Sequence, residues 1–595
     1  MRSRPFRSLF AIVSLTAFLA GGLEAQTPGQ LPGQAGAAVP SSAAAGENQQ
    51  SFEIKVSANH TEVNPDLRDE FGRPLRSFLT PGPNITADFS YFQDYLFGTN
   101  RLQVLSIFRS NDDPRVDPEK NSLQRGYLRL TTPNSEWNFG DGLVSYSRLT
   151  YNQNIKGVSV SRKFGHGFRL AANGGVFTDR WGSVWKDDLL GKPYTRVVAG
   201  LRAEQELGAN KLIGFNFSHG RDLEDSIDQQ LRQFGLIPLE NNIGSVDTRL
   251  RFGRVLTVDG ELAYSSTNFD TRVSRDSRQD YGGRLDASLR AGRFFARTSY
   301  LRLMPSFLSL NARQLADLQD SMVRAGLDVT EFLSVEGSYR RTNNNLRSDR
   351  PEGTTVFEVP EVRASLRRIP MLGRTVLDFG VRERQQSGPI RRSAPFTGLE
   401  EDRHVRIPFV EVVVPLGSTM ISVGYEHRRN TNELLRSEGT KANRWSGSLR
   451  GNYDVGGWNL APMFRYEMER EEFFRVIGFN NNRSILASGF AEAPKYFAFE
   501  VYYRQVGATL FAECLQVAGG VPCHPLLPAD PGTTVLLPSG FRRPAFRAAV
   551  TYKLANNDDR FLVFAYDRNV NLFALPDRDF RERVFSVTLV LRFRR

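Results

Sequence analysis

Beyond residue 26 the 595-residue sequence has no apolar run of the length a membrane-spanning helix requires, about 18 residues. An exported chain of this kind is soluble, secreted, or a membrane barrel, because only helices and closed barrels satisfy their backbone groups inside lipid. Cysteine is nearly absent: Cys514 and Cys523 are the two in the chain, so no disulfide framework holds the fold. The six histidines (His60, His166, His219, His404, His427 and His524) are scattered, with no pair at metal-ligand spacing. HExxH, CxxC, G-x-S-x-G and P-loop motifs are all missing. His219 near Asp222 and Asp225 is the one place where a histidine stands beside carboxylates. A solvated loop histidine is the plainer reading there. The expectation is a protein that is no enzyme and carries no metal or cofactor.

Charge of both signs is present, with a formal net charge of +12. Removing the three Arg and one Glu of residues 1–25 leaves about +10. A nucleic-acid binder concentrates basic residues with aromatics on one face. Here Arg runs the whole length, often beside Asp or Glu, so nucleic acid is not an expected partner.

The N-terminus opens with Arg2, Arg4 and Arg7, continues in a short apolar run over residues 9–20, and reaches Leu23-Glu24-Ala25. That order is a secretory signal peptide, residues 1–25. Gln26 follows where a lipoprotein would carry Cys. Residues 26–50, rich in Pro, Gly, Ala and Ser, read as a flexible leader.

From residue 51 to 595 one pattern repeats: a period-2 stretch of about 9–13 residues, then a break, which is the length of a tilted membrane strand. In the last stretch Phe585, Val587, Leu589, Leu591 and Phe593 share one face, and Ser586, Thr588 and Arg592 the other. Phe497, Phe499, Val501 and Tyr503 alternate in the same way with Ala498, Glu500, Tyr502 and Arg504, as do Ile213, Phe215 and Phe217 with Gly214, Asn216 and Ser218. A soluble sandwich keeps its apolar face inside. More than a dozen strands whose second face carries Arg, Glu, Asn and Gly invert that polarity, with apolar side chains turned to lipid and polar ones to water.

Short breaks with Gly or Asn, near residues 164–167, 208–210, 253–254, 291–292, 415–417 and 455–457, alternate with longer polar ones. The longer breaks cover residues 111–123, 179–193, 221–242, 268–279, 384–402, 428–441 and 508–540. The expected fold is all-β: one large antiparallel transmembrane barrel of about 26 strands, with short periplasmic turns and long extracellular loops. An N-terminal plug domain is not expected.

The inward faces collect Arg196, Arg202, Arg249, Arg251, Arg284, Arg290, Arg297, Arg340, Arg382, Arg450, Arg465, Arg504 and Arg547. Glu336, Glu426, Glu467 and Glu500 share them. Cross-strand ion pairing would rigidify the wall, and an excess of Arg would favour anions. Cys514 and Cys523 lie in an apolar, Pro-rich break (residues 508–540), where they would form a disulfide or remain free thiols. That loop would fold into the barrel mouth, contact a partner, or pack on its neighbours.

The signal peptide, the strand ladder and the terminal Val584-Phe585-Ser586-Val587-Thr588-Leu589-Val590-Leu591-Arg592-Phe593 resemble the bacterial outer-membrane β-barrel superfamily. The stretch from Gly140-Asp141-Gly142 to Ser161 is loosely similar to fimbrial ushers. The superfamily resemblance implies an outer-membrane location and lipid as surroundings. It also implies a barrel-assembly machinery that reads Phe593, although Arg594 and Arg595 follow it. The function it implies is a channel or transporter for polar solutes or polymers, with an anionic bias. The alternative is a scaffold whose lumen holds a periplasmic or surface protein.

Overall fold

A computed structural model describes residues 48–594, apart from 65–80, 114–116, 118, 179–180, 186–193, 209, 228–236, 274–275, 313, 315, 349–352, 369–372, 390–399, 433–438, 474–476, 516–533, 537–538, 555–558 and 574–578. The signal peptide, most of the leader and most of the Cys514–Cys523 break therefore lie outside the described residues.

Twenty-six long strands form one antiparallel sheet. The first nine are β1 (Gln49–Asn64), β2 (Gly82–Phe97), β3 (Asn100–Asn111), β4 (Asn121–Thr131), β5 (Ser135–Ser147), β6 (Tyr151–Lys163), β7 (Phe168–Phe177), β8 (Arg196–Glu206) and β9 (Lys211–Asp222). The next nine are β10 (Glu240–Phe252), β11 (Leu256–Asn268), β12 (Arg278–Ala291), β13 (Phe294–Leu303), β14 (Leu318–Asp328), β15 (Leu333–Asn343), β16 (Val356–Arg367), β17 (Val376–Pro389) and β18 (Glu400–Leu416). The last eight are β19 (Thr419–Asn432), β20 (Thr440–Gly451), β21 (Trp458–Phe473), β22 (Ile477–Glu492), β23 (Phe497–Leu515), β24 (Ser539–Lys553), β25 (Arg560–Phe573) and β26 (Phe580–Arg594). Two three-residue segments, Tyr453–Val455 and Thr534–Leu536, extend the sheet beside β21 and β23. β1 begins at Gln49, two residues before the expected start of the barrel at 51.

β1 pairs with β26 along fourteen residues, from Ser51↔Arg594 to Asn64↔Arg581. The sheet therefore closes on itself and leaves no free edge of the kind that recruits other chains. At the seam Ser57 and Thr588 share a hydroxyl–hydroxyl hydrogen bond of 3.0 Å, and Phe52 stacks on Phe593 at 6.4 Å.

The faces differ as the alternation requires. Phe215, Phe217, Val246, Leu262, Tyr264 and Tyr281 are exposed, whereas their neighbours Asn216, Ser218, Ser245, Glu261, Ser265 and Asp280 are buried. Removing polar groups from water while apolar ones stay out is unfavourable in water, so the exposed apolar face is the lipid-facing outside and the polar face is the inside. Many outer aromatics gather toward the short-turn end, including Tyr95, Phe97, Trp137, Phe139, Phe252, Phe294, Phe497 and Phe499. Tyr95–Phe97, Trp137–Phe139 and Phe497–Tyr552 are packed ring to ring at 5.9, 6.5 and 5.2 Å. An aromatic girdle beside an apolar band is how membrane barrels meet the lipid interface.

Candidate functional site: the inner face and two inward-folded segments

The wall is incomplete as a plain cylinder in one sector. β4 pairs with β5 over only five residues, Tyr127↔Gly140 to Thr131↔Glu136, although β4 continues to Asn121. β5 and β6 remain paired with each other up to Ser147↔Tyr151. The upper half of this hairpin thus leaves β4 and bends inward, closing with the three residues 148–150. Glycine allows the bend. Gly140 has φ +107°, and a Cβ there or at Gly157 would run into the backbone of Gly126 or Gly174 on the neighbouring strand.

Polar latches hold the base of the hairpin. Lys156 Nζ reaches Asp141 Oδ1 at 2.6 Å, and both Trp181 Nε1 (2.6 Å) and the Gly126 N–H (2.7 Å) donate to Asp141 Oδ2. Its tip is fixed on the inner faces of β8–β11. The Leu149 N–H lies 3.2 Å from both carboxylate oxygens of Glu261. Thr150 donates to Ser245 Oγ at 2.6 Å, and its carbonyl accepts from Ser218 Oγ at 3.1 Å. Arg202 Nη1 donates to the Tyr146 carbonyl at 2.8 Å. Leu149 and Tyr151 are almost wholly buried beneath it, packed in clusters with Ile243, Ala263 and Phe307 on one side and Val144, Ile155 and Val198 on the other.

The connection from β13 to β14 is the second inward segment. The Ser306 N–H donates to Asp280 Oδ2 at 2.9 Å and the Leu308 N–H to Ser265 Oγ at 3.3 Å. Asn241 Nδ2 donates to the Leu308 carbonyl at 2.9 Å, and Asn311 Nδ2 to the His219 carbonyl at 3.1 Å. Phe307 is completely buried. The two segments also touch: the Asn152 N–H donates to the Asn311 carbonyl at 2.9 Å, and Gln314 Nε2 to the Arg148 carbonyl at 3.0 Å. Together they form one obstruction lying on the inner wall from β8 to β12. Sequence reasoning marked the hairpin only for a loose likeness to fimbrial ushers over 140–161, and expected neither segment to turn inward. Its candidate for an inward loop, residues 508–540, lies largely outside the described residues. The overlooked signal is the apolar content of Met304, Phe307, Leu308 and Leu310 in a connection that should be polar.

The sequence-derived Arg and Glu candidates all sit on the polar face by strand parity, opposite the exposed outer residues. Many are paired. Arg196 binds Asp222 at 2.7 Å, Arg202 binds Asp247 at 2.6 Å across an intervening strand, and Arg249 binds Asp259 at 2.8 Å. Arg340 meets Asp320 at 2.9 Å, Arg382 meets Glu361 at 2.7 Å, and Arg284 pairs with Asp286 on its own strand. Glu467 receives Arg444 at 3.2 Å and also Arg465, while Glu426 takes Arg444 at 3.5 Å. Arg547 bridges Glu500 at 3.9 Å and Asp567 at 3.4 Å, and Glu336 takes Arg324 at 2.6 Å. Arg450 contacts Met420 Sδ. Arg251, Arg290 and Arg504 have no carboxylate partner among the described residues.

Two members of the suggested rim constellation, His219 and Asp222, lie on opposite faces of β9. Asp222 is buried on the inner face against Arg196, whereas His219, an odd number of residues away, belongs to the outer face and meets Asn242 Oδ1 at 2.9 Å.

The architecture is that of bacterial outer-membrane β-barrels: closed, antiparallel, even-stranded, with an apolar outer band and a polar interior. No protein-family model matches the chain, and no curated protein matches its sequence. Among solved structures, the outer-membrane protein OpdK from Pseudomonas aeruginosa is 12% identical, covering 57% of this chain and 94% of its own, with a TM-score of 0.29. A BenF-like porin from Pseudomonas fluorescens Pf-5 is 11% identical, covering 64% and 98%, with a TM-score of 0.29. Pseudomonas aeruginosa OccK2 (OpdF), solved in complex with glucuronate, is 12% identical, covering 58% and 92%, with a TM-score of 0.30.

Proposed function

We propose that the protein is an outer-membrane channel that admits small polar solutes, with a preference for anions. In this reading the N-terminal signal exports it, the assembly machinery inserts it through the terminal strand ending in Phe593, and the long-loop end faces outward. The observation that carries the reading is the obstruction on β8–β12. A sheet of this strand number encloses a wide lumen, and two segments hydrogen-bonded to its inner wall narrow it. Segments fixed to the wall in this way select solutes by size.

The anion preference follows from the inner arginines that have no carboxylate partner among the described residues, since rings of Arg favour anions. The mechanism is diffusion past the obstruction, with no covalent step. Reconstituted into a planar bilayer, the protein should conduct, and its reversal potential in a KCl gradient should lie on the chloride side. A reversal potential on the potassium side would remove the anion preference. Electrical silence with a co-purifying protein seated in the barrel would replace the channel with a scaffold.

A further inference from the structure

A second feature of the inner face lies apart from the obstruction, at the short-turn end of β11–β16. There a recess of about 560 Å³ lies over the inner face of these strands, within the roughly 300–1,000 Å³ range of small-molecule sites. Its lining carries Arg254, Arg290, Arg297, Arg324, Arg363 and Arg367 against two acids, Asp328 and Glu336. Arg324 is paired with Glu336 at 2.6 Å, and Arg363 with Asp378 outside the recess. Arg254, Arg290, Arg297 and Arg367 have no carboxylate partner among the described residues.

Two details make this more than a basic patch. Arg297 and Arg324 stand directly opposite each other on β13 and β14. Like charges directly opposed across strands are destabilising; Glu336 offsets this for Arg324, and an anion would do the same for Arg297, which has no carboxylate partner among the described residues. Beside them Phe295 opposes Arg290, and its ring occupies the place that any Cβ on Gly326 would take. The ring therefore rests against the wall inside the cluster of guanidinium groups. Ser288, Ser334 and Ser365 add hydroxyls.

We infer that this recess is a binding site for small organic anions bearing two or three carboxylates, held by arginine forks while the carbon skeleton rests on Phe295. Guanidinium groups match carboxylate geometry bidentately, and an aromatic face supplies contact for an apolar skeleton. The inference rests on the channel reading and deepens it by naming the solute class.

The test uses the full-length protein in planar bilayers with KCl, adding citrate, acetate or inorganic phosphate on the short-turn side. Citrate should interrupt the chloride current saturably, at concentrations where acetate and phosphate do not. The R290A/R297A variant should raise the half-blocking citrate concentration tenfold or more and still show the heat-dependent gel shift of a folded barrel. An unchanged half-blocking concentration in that variant, or equal block by acetate, would overturn the site. Equal block by phosphate would overturn the organic-anion assignment. A protein that conducts nothing would remove the channel reading alone. Citrate calorimetry in detergent then decides the recess: binding heat lost in R290A/R297A supports it, and no heat in the wild type overturns it.

Discussion

Glu261 shows how much of the inner architecture hangs on single side chains. It belongs to β11, yet it accepts from the backbone N–H of Leu149, on a hairpin it never pairs with, and the Thr150 hydroxyl lies 3.3 Å away. Hydrogen bonds to a charged group contribute about 1.5–3 kcal/mol each, so Glu261→Ala should free the tip without unfolding the wall. Arg148, exposed at that tip, then becomes a trypsin site: cleavage there should quicken in E261A while the heat-dependent gel shift persists. Equal cleavage rates in both proteins would mean that the other latches suffice. At this scale the sequence was informative about polarity and silent about partners. Arg202 was legible as an inward residue from its alternation with Leu201 and Ala203, but its bond to Asp247, two strands away, depends on how neighbouring strands are registered.

Among the elements, the β5–β6 hairpin departs most from what its sequence pattern suggests. Its alternation reads as two ordinary wall strands, and the lower halves are such strands. The upper halves leave the wall because the glycines at 140 and 157 permit an approach that side chains forbid. Gly140→Val places a branched side chain against the backbone of β4 and at a φ suited to glycine. The variant should hold the hairpin out of the lumen, seen as a larger single-channel conductance than wild type. A conductance equal to wild type would show that the bend survives without glycine. The β13–β14 connection escaped notice for a related reason. Its apolar residues alternate too briefly to read as a strand, and only the pocket between β9 and β12 gives Phe307 somewhere to be buried.

For the whole molecule, closure is the decisive property. The seam between β1 and β26 joins residues more than five hundred positions apart, with Ser57 opposite Thr588. Directly opposed strand residues have Cα atoms about 4.5–5.5 Å apart, within the span of a disulfide. The S57C/T588C variant should therefore oxidise to a covalently closed chain that migrates differently on denaturing gels with and without reductant. Identical migration under both conditions would contradict the closed seam.

The sequence by itself determined the class of fold. Period-2 polarity, inverted relative to a soluble core, together with turn residues at regular breaks, is local information that survives without any knowledge of neighbours. It was enough for one large antiparallel barrel of about 26 strands. Only the tertiary structure decided which arginines are neutralised, which segments turn inward and where four guanidinium groups are left facing a recess. Those outcomes depend on strand register and on contacts between residues far apart in the chain, such as Leu149 with Glu261 or Asn311 with His219. Alternation along one strand carries no record of what stands beside it.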